Sequence, residues 1–292
     1  MAGSEGLKEI MIGAGPIRYR DTGAGAPLVF VHGLLVNGEL WRKVVPPLAA
    51  HYRCIVPDWP LGSHSLPMRA ETDLSPPGLA RIIADFLAAL DLNDVTLVGN
   101  DTGGALCQIV ATSHPERLAR LVLTSCDAYD NFLPLAFRPL QIGARIPGFT
   151  RLVAASLGVR RLQRLPLAFG WLAKRAIDRD TMDAYTGPVR RSAAIRRDVT
   201  KILRGISSTY TLAAAERFSS FDAPVLIAWA AEDRFFPVEH ARRLASAFPS
   251  ARLELIEDSY TFVPEDQPAR LAQVMEEFLA ATTQAVRPAA AR

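Results

Sequence analysis

The sequence predicts an α/β protein: a doubly wound, mostly parallel sheet of eight strands with an inserted helical cap. Three observations point there. Short apolar runs of strand length alternate with longer stretches of helical spacing. The runs are too apolar to leave one face in water, as expected for parallel strands covered by helices on both sides. Residues 131–215 break the alternation, holding helical pieces and no strong strand. At 292 residues the chain has room for one such core, residues 1–130 and 216–292, with residues 131–215 as the inserted lobe.

The elements follow in order. "LKEIMIG" and "IRYRDTG" read as early strands that could form a hairpin. "PLVFVHG" is a buried strand ending in glycine. "NGELWRKVVPPLAAHY" reads as a helix and "RCIVPDWP" as the next strand. "SPPGLARIIADFLAALDL" starts at a capping Ser75 followed by two prolines, which suit the first helical turn. "DVTLVGN" is a strand, "TGGALCQIVATSHP" a helix halted before Pro115, and "LARLVLTSCDA" a strand. Inside the lobe, "RLVAASLGVRRLQRL" and "RRDVTKILRGI" have helical spacing. "APVLIAWAAED", "EHARRLASAFP", "ARLELIED" and "PEDQPARLAQVMEEFLAATTQA" restore the alternation, and the tail "VRPAAAR" is expected to fray.

Composition limits the partners. The first residues carry no apolar run of signal-peptide type, and no stretch of about 18 apolar residues could span a membrane. Cys54, Cys107 and Cys126 lie in apolar runs and are too few for a disulfide framework, so buried reduced thiols and a cytoplasmic home are expected. Charge is uneven. Residues 131–215 hold 15 Lys and Arg against 4 Asp, while the remainder holds 18 basic and 26 acidic residues. A solvated arginine surface and a field for anionic ligands both fit that pattern. No nucleic-acid, nucleotide or metal-binding motif is visible, so no cofactor is expected. The expected partner is a small, mostly hydrophobic molecule, with neither nucleic acid nor membrane. Phe132, Phe149, Phe169 and Trp171 could shape a pocket for it or simply pack the lobe.

Ligands of such sheets lie beyond the carboxyl ends of the strands. After "DVTLV" comes "GNDTGG", a small–x–acid–x–small pattern between a strand and a helix. This spacing suits a sharp bend that presents its central residue, here Asp101, as a nucleophile. A carboxylate is already ionised and attacks carbon without a base. The competing reading is a helix N-cap. After "PLVFV", the His-Gly pair turns the backbone so that the N–H groups of Leu34 and Thr102 could converge as an oxyanion hole. His32 itself reads as a structural turn residue. After "PVLIAWA", Asp233 is a candidate acid of the kind that orients a base, with Asp127 as a second candidate.

With these motifs in place, the chain resembles the α/β-hydrolase superfamily, in the branch of haloalkane dehalogenases and epoxide hydrolases. The resemblance rests on the His-Gly loop with Trp41 nine residues on, the "VGNDTGG" bend, "AWAAEDRFFP" and "FVPEDQPARLA". It covers roughly residues 7–130 and 216–282. It implies that Asp101 forms an alkyl ester. Dehalogenases of this branch hold halide with a Trp after the nucleophile and an Asn after His-Gly; here those places are Thr102 and Leu34, which disfavours dehalogenation. Epoxide hydrolases protonate the opening oxygen with cap tyrosines, for which Tyr185 and Tyr210 are the candidates. Trp41 and Thr261 complete the expected substrate contacts.

The largest departure is at Thr261, which stands where the resemblance calls for the base histidine. A threonine hydroxyl cannot serve as a base near neutral pH, and general base catalysis contributes roughly 10²–10⁴-fold. His114 reads as a helix-end residue, His240 as a solvent-facing helix residue and His51 as lying at the wrong end of the sheet. His64, just past a strand, is the candidate displaced base. Three functions fit: a hydrolase acting on an epoxide-like electrophile through an Asp101 ester; a lyase, isomerase or cyclase using Asp101 as acid or base; or a ligand-binding pseudoenzyme.

Overall fold

The computed structural model describes residues 6–286. Of the tail expected to fray, Val286 ends the last helix and the other residues lie beyond that range. The eight strands are β1 (Leu7–Ile12), β2 (Gly15–Thr22), β3 (Pro27–Val31), β4 (Arg53–Pro57), β5 (Val95–Asp101), β6 (Leu118–Cys126), β7 (Val225–Ala230) and β8 (Ala251–Ile256). They form one sheet in the order β1-β2-β4-β3-β5-β6-β7-β8. β1 and β2 pair as an antiparallel hairpin, β2 meets β4 antiparallel, and all later pairs are parallel. β5 and β7 are buried along their whole length, which is why they read as unbroken apolar runs. The order reverses between β3 and β5, so the loops that leave these two strands face one crevice.

The helices are α1 (Val45–Leu48), α2 (Pro76–Ala89), α3 (Thr102–Ser113), α4 (Arg138–Gly143), α5 (Phe149–Ser156), α6 (Arg160–Gln163), α7 (Arg179–Arg191), α8 (Ala193–Gly205), α9 (Ser208–Ala215), α10 (Val238–Ala247), α11 (Val263–Asp266) and α12 (Pro268–Val286). Ser75 caps α2 by accepting from the Gly78 N–H. The helix expected over 37–52 is instead a short turn, Gly38–Trp41, followed by α1. Pro46 and Pro47 lack the N–H groups a continuous helix needs, so α1 starts afresh there. In the same way the segment 151–165 divides into α5 and α6, with Gly158 between them.

Every named element between β6 and β7 is helical. Polar contacts tie the segment to the rest of the chain. Arg42 and Lys43 reach the buried Glu265 carboxylate, Arg42 also reaches Asp178, and Tyr185 of α7 donates to Glu265 at 3.1 Å. Asp266 accepts from the Lys174 and Arg175 N–H groups, both at 2.8 Å. The three cysteines are free and buried, and burial pushes the Cys54 thiol up to about 12.

Candidate active site

Asp101 stands at the end of β5 with φ 55° and ψ −133°. A non-glycine residue in that region costs roughly 1–3 kcal/mol, so its surroundings must hold it there. They do so by close approach. A Cβ on Gly103 would lie 2.3 Å from the Val31 carbonyl, and one on Gly33 would lie 2.0 Å from the Asp101 carboxylate. Only glycine lets β3, its loop and the bend meet. Asp101 does occupy the N-cap position of α3, but its side chain makes no capping hydrogen bond to the helix. Instead its Oδ2 accepts from the Leu34 N–H at 3.2 Å. Burial pushes the Asp101 carboxyl up to about 7; the N–H dipoles of Thr102 and Leu34 oppose that rise, and the Asp233 charge adds to it.

Two more carboxylates lie behind Asp101. Asp233 follows β7 and its Oδ1 accepts from the N–H groups of Phe235 and Phe236 at 2.8 and 2.9 Å. The third donor to the same oxygen is the Thr261 hydroxyl, at 2.9 Å. Threonine thus fills the position beside the acid with a donor that holds no exchangeable charge. Asn100 fixes this arrangement from the bend itself, donating to the Thr261 carbonyl at 2.8 Å. Asp127, at the end of β6, is fully buried and accepts from the Thr102 hydroxyl at 3.3 Å. Its carboxyl is raised well above the usual range, first by burial and then by the Asp101 charge. The pair therefore favours sharing protons over carrying two charges. Among the described residues, no group of three or more His, Cys, Asp or Glu is placed to hold a metal ion.

No imidazole joins the three carboxylates. His64 is buried elsewhere: its Nδ1 accepts from the Gly62 N–H at 3.2 Å and its Nε2 donates to Asp198 of α8 at 3.2 Å. Both ring nitrogens are engaged and the ring does not line the cavity above Asp101, which removes it as a displaced base. His32 accepts from the Trp59 N–H at 2.8 Å and donates to the Gly33 carbonyl at 2.9 Å. Burial pushes its ring down to about 3, so it is neutral and serves to shape the turn. His240 does not face solvent as expected; it is half-buried, edge-on to Tyr129 at 5.8 Å.

Above Asp101 lies a cavity of about 270 Å³. Asp101, Thr102 and Ser156 are its polar lining residues, and the other walls are apolar. Leu34 and Leu35 come from the loop after β3. The remainder comes from the helical segment, including Phe137, Leu157, Leu165 and Phe169. Of the four side chains expected to contact substrate, none lines it. Trp41 is buried against Phe30 at 5.1 Å. The Tyr185 hydroxyl is spent on Glu265, although its ring stacks on the cavity residue Phe169 at 6.2 Å. Tyr210 faces a separate surface groove near Asn131 and His240, and Thr261 faces Asp233. Of the aromatics considered for the pocket, Phe169 lines it and Phe132, Phe149 and Trp171 do not. The sequence reading missed the aliphatic wall. Its signal was present: Leu133, Phe137 and Leu140 follow one another at four and three residues, as do Val153 and Leu157 at four.

Comparison with known proteins agrees with this architecture. The family profile described as alpha/beta hydrolase fold matches residues 26–268. An uncharacterized protein of Mycobacterium tuberculosis is 28% identical over 281 residues, covering 90% of this chain and 78% of its own. Haloalkane dehalogenase 2 of the same organism is 26% identical over 275 residues, covering 90% and 91%. The ligand-free structure of the epoxide hydrolase CorEH superposes with a TM-score of 0.77 at 19% identity, covering 94% of this chain and 98% of its own; that likeness is one of fold.

Proposed function

The chain belongs to the alpha/beta hydrolase fold family, and from that premise we propose that it is an enzyme in which the Asp101 carboxylate transfers protons to and from a small apolar substrate without hydrolysis. The observation that carries this reading is the Thr261 hydroxyl on Asp233. The acid has a partner, the partner cannot take a proton, and water next to Asp101 has nothing to activate it. Epoxide opening through an ester would also need a proton donor at the oxygen, and the cavity lining contains no tyrosine.

Proton transfer needs neither group. A catalytic acid–base works best with its pKa near the working pH, and burial brings Asp101 to about 7. The ionised carboxylate takes a proton from an acidic C–H of the substrate, such as one beside a carbonyl, and returns it at the same or a conjugated carbon. The walls are apolar and solvate the carboxylate poorly, which leaves it a stronger base, while Asp101 stays 8% exposed, so its proton exchanges with solvent before it is returned. The Leu34 N–H steadies the carboxylate while it is charged. A second reading, covalent attack by Asp101, is favoured by the strained bend that aims it at the cavity; in the absence of a base such an ester would persist.

One experiment separates the two. The protein is incubated in D₂O with small apolar ketones, and separately with epoxides and alkyl halides, followed by substrate and intact-protein mass spectrometry. Deuterium exchange into the ketone is expected, rising with pH through about 7 and lost roughly 10²–10⁴-fold in Asp101→Asn. A stable adduct on Asp101 without exchange would replace this reading with the covalent one.

A further inference from the structure

The cavity opens onto a surface with its own composition. Of the thirteen large apolar side chains left exposed among the described residues, nine fall between residues 135 and 171. Single exposed apolar residues are ordinary, whereas a concentration of them marks an interaction site. Leu162, Leu165 and Leu167 line the cavity and are also 38, 50 and 53% exposed, so they form its rim. Trp171, 42% exposed, packs on Phe235 at 6.1 Å, and Phe235 packs on the cavity residue Phe137 at 4.8 Å. The aromatic edge therefore continues the leucine rim back to the helix-α4 side of the cavity.

Charge on the same stretch has one sign. Residues 131–177 contain eight Arg and Lys and no Asp or Glu. Arg160, Arg161 and Arg164 interleave with the rim leucines and are exposed, and their side chains form no ion pair or hydrogen bond among the described residues. A neighbouring groove of about 510 Å³ is lined by Arg160, Arg164, Lys174, Arg175 and Arg179 together with Asp178 and Asp183. Exposed leucines and a tryptophan ringed by unpaired arginines match a surface that is apolar inside and anionic outside. A second copy of the chain is a poor fit, because two such cationic faces repel.

We propose that this face docks on an anionic lipid bilayer, with the leucine rim among the acyl chains and the arginines on the head groups, so that apolar substrate enters the cavity from the membrane. No helix among the described residues is long and apolar enough to cross a membrane. The contact is peripheral and needs no spanning segment; it departs from the expectation of no membrane partner, which rests on the lack of such a segment. It does not depend on the chemistry at Asp101.

The test uses the full chain with phosphatidylcholine vesicles and with mixed phosphatidylcholine–phosphatidylglycerol vesicles. The sequence has four tryptophans and Trp41, Trp59 and Trp229 are buried, so a change in emission reports on Trp171. Co-sedimentation with the mixed vesicles only is expected, with a blue shift of emission and release at high salt. Each arginine near an anionic surface strengthens binding about fivefold, so Arg160→Glu, Arg161→Glu and Arg164→Glu combined should weaken it more than about a hundredfold. The salt titration of the unmodified protein carries the test if that variant misfolds. No binding to mixed vesicles, equal binding to neutral ones, or concentration-dependent self-association that buries Trp171 without lipid would each overturn the proposal.

Discussion

The floor and the roof of the cavity are built by opposite means. The floor, where β5, β6 and β7 end, is polar, strained and buried: Asp101 at positive φ, Asp233 with three donors on one oxygen, and Asn100 holding the Thr261 carbonyl. The roof, from α4 to the Pro166–Gly170 turn, is apolar, and several of its leucines are half in water. The floor fixes one arrangement through hydrogen bonds and close contacts that tolerate no added atom. The roof offers area without direction. Chemistry belongs to the first and access to the second, and the two should respond differently to substitution.

The sharpest contrast is in packing. Leu97 lies fully buried in β5, and Leu97→Ala should cost about 2–5 kcal/mol. Leu165→Ala on the half-exposed rim should stay within about 0.5 kcal/mol. Chemical denaturation measures both. Equal costs would mean that the roof is as integral to the core as the sheet.

The next contrast concerns the strain stored in the floor. Burial raises the Asp101 carboxyl from its ordinary value of 3.8 to about 7. The native state then keeps a proton that the unfolded chain releases, so stability falls as pH rises from about 4 to about 7. Asp101→Asn removes the share of that dependence that Asp101 contributes, while Asp127, raised in the same direction, keeps its own, and Asn tolerates positive φ. Above pH ~7 the variant should be more stable by up to about 4 kcal/mol, with the gap closing near pH 4. A gap that does not vary with pH would put Asp101 in an ordinary, solvated environment.

What could be read from the sequence divides along the same line. Strands buried on both faces must be apolar runs, and a backbone bend without room for side chains must use glycine, so the sheet and the bend at Asp101 were legible. The threonine at 261 was legible as a departure from a pattern. Its partner was not, because only the fold brings Thr261 onto Asp233. His64 misled for the same reason. It follows a strand, as a site residue should, but Asp198, far along the chain on α8, turns it away. Aromatic rings such as Tyr185 and Trp41 suit both ligands and cores, and here the core takes them. The roof was missed because leucines three and four residues apart look the same whether the face opposite is protein or an empty cavity.

The claim under all of this is that the Asp101 carboxylate, buried at the bend beside two other carboxylates and without an imidazole, changes charge near neutral pH. Carbon-13 labelling of the aspartate carboxyl groups, followed by NMR titration of the wild type and Asp101→Asn, observes it directly. A resonance that titrates near pH 7 and is absent from the variant is the expected result. An Asp101 signal that titrates near pH 4, in the ordinary carboxylate range, would contradict it.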